Sequence, residues 1–140
     1  MICLNMIVKN EAHCIARCLR SVAAHIGAAY VCDTGSTDGT MDHVGAYFSD
    51  ELPFHLSDMP WEGFGPSRTR AAAEASRWIL NYDPPRDADA FLLFIDADET
   101  LEGDLPPSEL LADYDVVQCR AIGPAGIWCY RNLLARASIP

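Results

Sequence analysis

The run Phe91-Leu92-Leu93-Phe94-Ile95, followed at once by Asp96-Ala97-Asp98-Glu99-Thr100, constrains the fold more than any other segment of the chain. Five successive apolar residues bounded by an acidic cluster predict a buried strand. Such a strand delivers carboxylates to its C-terminal end, the edge at which open α/β sheets bind ligands. Alternate residues of an extended strand point the same way, so Asp96 and Asp98 are expected to converge while Ala97 faces away. Two carboxylates held together repel unless a proton or a cation sits between them. Hard oxygen donors of this kind suit Mg²⁺ or Mn²⁺ shared with substrate phosphates. A solvated acidic turn after a core strand accounts for the same residues with no ligand, so the motif needs support from the rest of the chain.

That support begins with an alternation of periods. Ile2 to Val8 reads as a strand, and Glu11 to about Ala24 as a helix with Ile15, Cys18, Leu19 and Val22 on its apolar face. Ala29 to Cys32 is a short buried strand, Thr40 to Phe48 a helix, and Phe54 to Leu56 a short strand. Phe64 to Pro66 reads as a loop, Arg68 to about Leu80 as an alanine-rich helix, and Asn81 to Asp89 as a proline-containing linker. After the acidic strand come a short turn or helix at Ser108 to Leu111 and strands at Val116 to Cys119 and Ile127 to Tyr130. Strand and helix in alternation predict an α/β fold, a mostly parallel sheet with helices on both faces.

The chain has 140 residues and is half hydrophobic, which suits a single domain with its own core. Its formal charge is −10 and Lys9 is its sole lysine. Such a surface repels nucleic acid and anionic membranes, and a phosphate ligand would need a metal ion or well-placed arginines. The six cysteines show no CxxC or Cys/His zinc spacing, and the four histidines have no ligand spacing, so reduced thiols in a cytoplasmic protein are expected. No apolar run approaches the roughly 20 residues that span a bilayer.

Three loops follow predicted strands: Lys9-Asn10-Glu11, Asp33 to Gly39, and Asp96 to Glu99. In a parallel sheet all three open on one edge, and their convergence says more than any one of them. Gly35 and Gly39 permit a sharp turn or a close ligand approach. Ser36, Asp38 and Thr40 suit caps for the next helix. Asp33, at a strand tip, is placed to accept hydrogen bonds from a ribose or base edge, with an Asx-turn as its structural alternative.

Met6-Ile7-Val8-Lys9-Asn10-Glu11, Asp33-Thr34-Gly35-Ser36-Thr37-Asp38-Gly39-Thr40, Phe64-Gly65-Pro66-Ser67-Arg68-Thr69 and Asp96-Ala97-Asp98-Glu99 together resemble, in order, the landmarks of family-2 glycosyltransferases. The resemblance runs from about Ile2 to Arg136. It implies a Rossmann-like GT-A sandwich, a nucleotide-diphosphate sugar as donor (a UDP-sugar foremost), a divalent metal, Mn²⁺ or Mg²⁺, and inversion at the anomeric carbon. By the same resemblance Lys9, Asn10, Glu11 and Asp33, with Gly35 and Ser36 beside them, would hold the nucleoside. Arg68 would lie near the diphosphate, Asp98 would bind the metal directly, and Asp96, with Ala97 between, would contact ribose or metal-bound water. Ser67 stands where relatives often carry Asn. Family members continue into an acceptor-binding half that carries the catalytic base, so residues 1–140 are expected to be an incomplete domain with its base elsewhere.

Two rival readings use the same residues. Asp96-Ala97-Asp98-Glu99-Thr100 also fits the DxDxT motif of aspartyl-phosphate hydrolases, with Asp96 as nucleophile and Asp98 as general acid, but that chemistry needs a downstream lysine. A non-catalytic nucleotide-sugar-binding module would need no base at all. The acceptor and the oligomeric state have no signature in the sequence.

Overall fold

The computed structural model describes residues 1–82, 90–122 and 128–138. Six strands, β1 (Ile2–Val8), β2 (Ala28–Asp33), β3 (Phe54–Asp58), β4 (Phe91–Phe94), β5 (Val116–Ile122) and β6 (Trp128–Arg136), form one sheet in the order β3-β2-β1-β4-β6-β5. Strands β3, β2, β1 and β4 are mutually parallel, while β6 runs antiparallel to both of its neighbours. The helices are α1 (Ile15–Val22), α2 (Thr40–Phe48), α3 (Phe64–Tyr82) and α4 (Ser108–Leu111), with one 3₁₀ turn at Ala23–His25.

Side-chain alternation divides the core between the two faces of the sheet. Leu4, Met6 and Val8 of β1 pack with Ile15, Leu19 and Val22 of α1 and with Val44 and Phe48 of α2. Cys3, with Ala28, Tyr30 and Cys32 of β2, packs instead against Ala71, Ala75 and Ile79 of α3. Small alanines let α3 lie close to the sheet, and the buried Asn5 amide donates to the Ala71 carbonyl at 3.2 Å. The parallel strand order and the covering of both faces agree with the sequence reading.

Boundaries differ where loop chemistry intervenes. The first helix starts at Ile15 rather than Glu11, and in the segment before it the Glu11 and Ala12 N–H groups donate to Thr40 Oγ1 (2.8 Å) and Asp38 Oδ2 (3.0 Å). The segment expected as a loop at Phe64 to Pro66 is the first turn of α3, where proline's missing N–H breaks no helical bond. Strands β2, β3, β5 and β6 run one to several residues longer than expected, β6 reaching Arg136. Most of the Asn81 to Asp89 linker and Ile127 lie outside the described residues, although Asn81 itself belongs to α3.

Candidate active site

The C-terminal ends of β1, β2, β3 and β4 open on one edge, and a cleft of about 450 Å³ lies there. Its volume is that of an ordinary small-molecule site. Of the residues singled out from the sequence, Lys9, Glu11, Arg68, Asp96, Ala97 and Asp98 line it. Asn10, Asp33, Gly35 and Ser36 do not; they build the wall beside it.

That wall is stitched from both sides. Asn10 takes a left-handed backbone at φ 58°, a conformation that Asn tolerates better than most residues. Its N–H donates to Ser36 Oγ at 2.9 Å, and its carboxamide oxygen accepts the Thr37 N–H at 2.8 Å. The Asp33 carboxylate is buried and accepts both the Ser36 N–H (2.9 Å) and the Ser36 hydroxyl (2.6 Å). The Asp33 side chain thus closes its own turn, through the N–H three residues on rather than the two of an Asx-turn. Gly35, at φ 103°, supplies the backbone conformation that this turn needs. Asp38 bonds the Ala12 and Thr40 N–H groups, so it ties the two loops together as well as leading into α2.

The acidic turn departs from an extended strand. β4 ends at Phe94, and the Glu99 N–H donates to the Asp96 carbonyl at 3.0 Å. The chain thus reverses between Asp96 and Glu99. Asp96 and Asp98 share the cleft through this turn rather than through strand alternation, and Ala97, expected to face away, is buried yet lines the cleft with them.

The two aspartates differ in electrostatic state. Asp96 is half-buried, with Oδ1 against Arg68 and Oδ2 at 3.9 Å from Arg131. Arg131 also pairs with Glu99, whose second oxygen accepts the Asp96 N–H at 2.9 Å. Asp98 is exposed, and among the described residues no cation pairs with its carboxylate. Its backbone carbonyl accepts from Arg17 at 2.8 Å. One carboxylate is therefore compensated by arginine and the other is open to a hard cation from solution. Both partners of the Arg68–Asp96 pair are 38% exposed, and ion pairs this accessible are worth roughly 0–1 kcal/mol, so the pair is exchangeable.

Trp61 and Phe64 meet edge to face at 4.9 Å and form an apolar lip on the cleft. Ser67 is buried, and its hydroxyl accepts the Glu62 N–H at 3.1 Å, which makes it a support for this lip. Arg131 and Arg17 were not visible as site residues in the sequence. Arg131 arrives by the antiparallel pairing of β6 with β4, and no local pattern announces that pairing.

One histidine has potential ligands beside it that its spacing in the sequence did not announce. Glu11, His13 and Cys14 bring a carboxylate, an imidazole and a thiol within 4.8 Å of one another. The Cys14 thiol donates to Glu11 Oε2 at 3.2 Å and is pushed up to about 11, by desolvation first and then by Glu11. It keeps its proton at neutral pH, and that proton already bridges the two groups. Cys18, pushed up to about 12 mainly by burial, donates its S–H to the Asp96 carbonyl at 3.4 Å. All six cysteines are free thiols.

Comparison with known proteins agrees with this fold. S. aureus TarS 1-349 is similar in structure, with a TM-score of 0.55 at 23% identity over 80% of this chain and 30% of that one. TarS 1-349 in complex with UDP gives 0.52 at 24% identity, over 69% and 27% of the two chains. These likenesses show the GT-A fold. The lipopolysaccharide core biosynthesis glycosyltransferase LpsC of Rhizobium meliloti (strain 1021) is 30% identical over 124 residues, 86% of this chain and 39% of LpsC. The chain thus spans well under half the length of these relatives. The family model for glycosyl transferase family 2 matches residues 3–115, within which the C-terminal ends of β1 to β4 and the acidic turn fall, and the chain belongs to that family.

Proposed function

We propose that residues 1–140 form one domain, the donor-binding part of a cytoplasmic glycosyltransferase that is metal-dependent and inverting, with a UDP-sugar as donor. The observation that carries this reading is the pairing of unlike aspartates. Asp96 is neutralised by arginine, and Asp98 lies open in the same cleft. The Asp98 carboxylate fits Mn²⁺ or Mg²⁺, a hard ion with oxygen ligands and an affinity for phosphate. When bound, such an ion neutralises charge that develops on the departing diphosphate.

The chain's own residues do the rest of the donor half. Arg68 reaches the diphosphate as a fork of donors, and Lys9 and Glu11 flank the nucleoside. Trp61 and Phe64 offer an apolar surface to the base or sugar. In the reaction an acceptor hydroxyl attacks the anomeric carbon, the C–O bond to the diphosphate breaks, and the acceptor's proton passes to a general base. Glu99 is already engaged by Arg131 and by the Asp96 N–H, which leaves the general base unassigned among these residues. If no base joins this cleft, the same geometry serves a binding module. The DxDxT reading fares worse, because its nucleophile, Asp96, has an arginine facing each oxygen.

Titration calorimetry with UDP tests the proposal. Binding is expected with Mn²⁺ present and is expected to fall away in EDTA. Asp98→Ala should cost about 2–4 kcal/mol of the metal-dependent affinity, the loss expected for a charged, partly desolvated contact. Equal affinity with and without EDTA would overturn the metal dependence, and undiminished binding by Asp98→Ala would remove that residue from the site.

A further inference from the structure

The two arginines around Asp96 face different surroundings. Arg68, near the start of α3, lines the cleft. Arg131, on β6, does not; its guanidinium lies between Glu99 and Asp96, close to the first and 3.9 Å from the second. A diphosphate entering the cleft therefore meets Arg68 and not Arg131. Drawing Arg68 away would leave the half-buried Asp96 carboxylate without its closest cation, and that loss of compensation opposes the move. An arginine carries five N–H donors in a fixed fork and can serve two carboxylates together.

We propose that Arg131 is a positioning residue that lets Asp96 change partners: as Arg68 turns to the phosphate oxygens, Arg131 closes on Asp96 Oδ2 and keeps that carboxylate compensated. The inference rests on the donor-cleft reading of this site and adds to it a residue that never touches the donor. Three features support it. The Arg68–Asp96 pair is accessible enough to exchange. The 3.9 Å contact of Arg131 is loose, with room to shorten. Glu99 pairs with the guanidinium from the other side, and Arg131 does not line the cleft, so it stays beside Asp96 rather than at the phosphate.

A double-mutant cycle on the full chain tests the exchange, with UDP plus Mn²⁺ as ligand in calorimetry and bare Mn²⁺ followed by electron paramagnetic resonance. Arg131→Gln is expected to weaken UDP binding about tenfold, while bare Mn²⁺ binds at least as well because a competing positive charge has gone. Arg131→Lys should restore most of the UDP affinity. In an Asp96→Asn background Arg68 has no carboxylate to leave, and Arg131→Gln should then change UDP affinity by less than about twofold. Wild-type affinity in Arg131→Gln, or the same loss in both backgrounds, would overturn the exchange. Parallel loss of UDP and Mn²⁺ binding with a lowered melting temperature would also overturn it, by making Arg131 a prop of the turn. A wild-type chain that binds no UDP with Mn²⁺ would instead overturn the donor-site reading, and the exchange with it.

Discussion

Asp33 shows how a residue at a strand tip divides its duties. Its carboxylate is buried and holds the Ser36 N–H and hydroxyl, so the Asp33 side chain organises the turn that bounds the cleft. Removing it leaves a hydrogen-bond donor without its acceptor, at a cost of about 1–3 kcal/mol. Asp33→Ala should therefore lower stability by that amount in urea unfolding and weaken UDP and inorganic pyrophosphate alike, as the wall loosens. A selective loss of UDP affinity at unchanged stability would return Asp33 to direct nucleoside contact. Asp98 is the contrasting case, a carboxylate at the same edge with no structural partner among the described residues. Residue type and position suggested ligand roles for both, and only their hydrogen-bond partners tell them apart.

At the scale of elements, the close approach of α3 to the sheet depends on alanine. Ala71 and Ala75 are fully buried in the cluster that holds Tyr30 and Cys32. Ala75→Leu should overpack this interface and destabilise the protein by about 1–3 kcal/mol in chemical denaturation. A neutral result would mean that α3 can slide outward. The central elements were legible in the sequence because their apolar periods are strong: β1, β2 and β4 are runs buried on both faces, and the apolar stripe of α1 emerged residue for residue. What escaped had non-local causes. The segment that precedes α1 is bonded to Thr40 and Asp38, nearly thirty residues away. The acidic turn closes through Glu99, and Arg131 reaches it only through sheet pairing. The apolar stretch from Phe91 to Ile95 correctly announced a strand, yet nothing in it marked the residue after which the chain would reverse.

For the whole molecule, charge and burial both have measurable effects. With twenty acidic and ten basic residues, the chain as a whole repels anions. Four of those ten cations, Lys9, Arg17, Arg68 and Arg131, gather at the cleft and the acidic turn, but Glu11, Asp96, Asp98 and Glu99 stand among them, so an anion there still calls for a further cation. Buried thiols add a pH dependence. Burial foremost pushes Cys3, Cys18 and Cys32 up from 9.0 to about 12, so between those values the folded chain binds more protons than the unfolded one. Stability from these groups is therefore complete below pH 9 and is lost as pH rises toward 12. Melting temperatures measured from pH 8 upward should fall beyond pH 9, and replacing any one of these cysteines by alanine should flatten the decline. A decline of the same steepness in all three variants would assign it to other groups.

The stitching between the Asn10 and Ser36 loops also has a kinetic side. Bonds run in both directions across the seam, from Asn10 to Ser36, Thr37 to Asn10, Glu11 to Thr40 and Ala12 to Asp38, so no single amide can open while its neighbours stay closed. The two loops then behave as one cooperative opening unit, whose amides exchange with solvent at a common rate set by rupture of the whole seam. A wall of this kind is ordered before any ligand arrives. Little conformational entropy is lost along it on binding, and slow adjustment is left to the other side of the cleft, where the arginines trade partners.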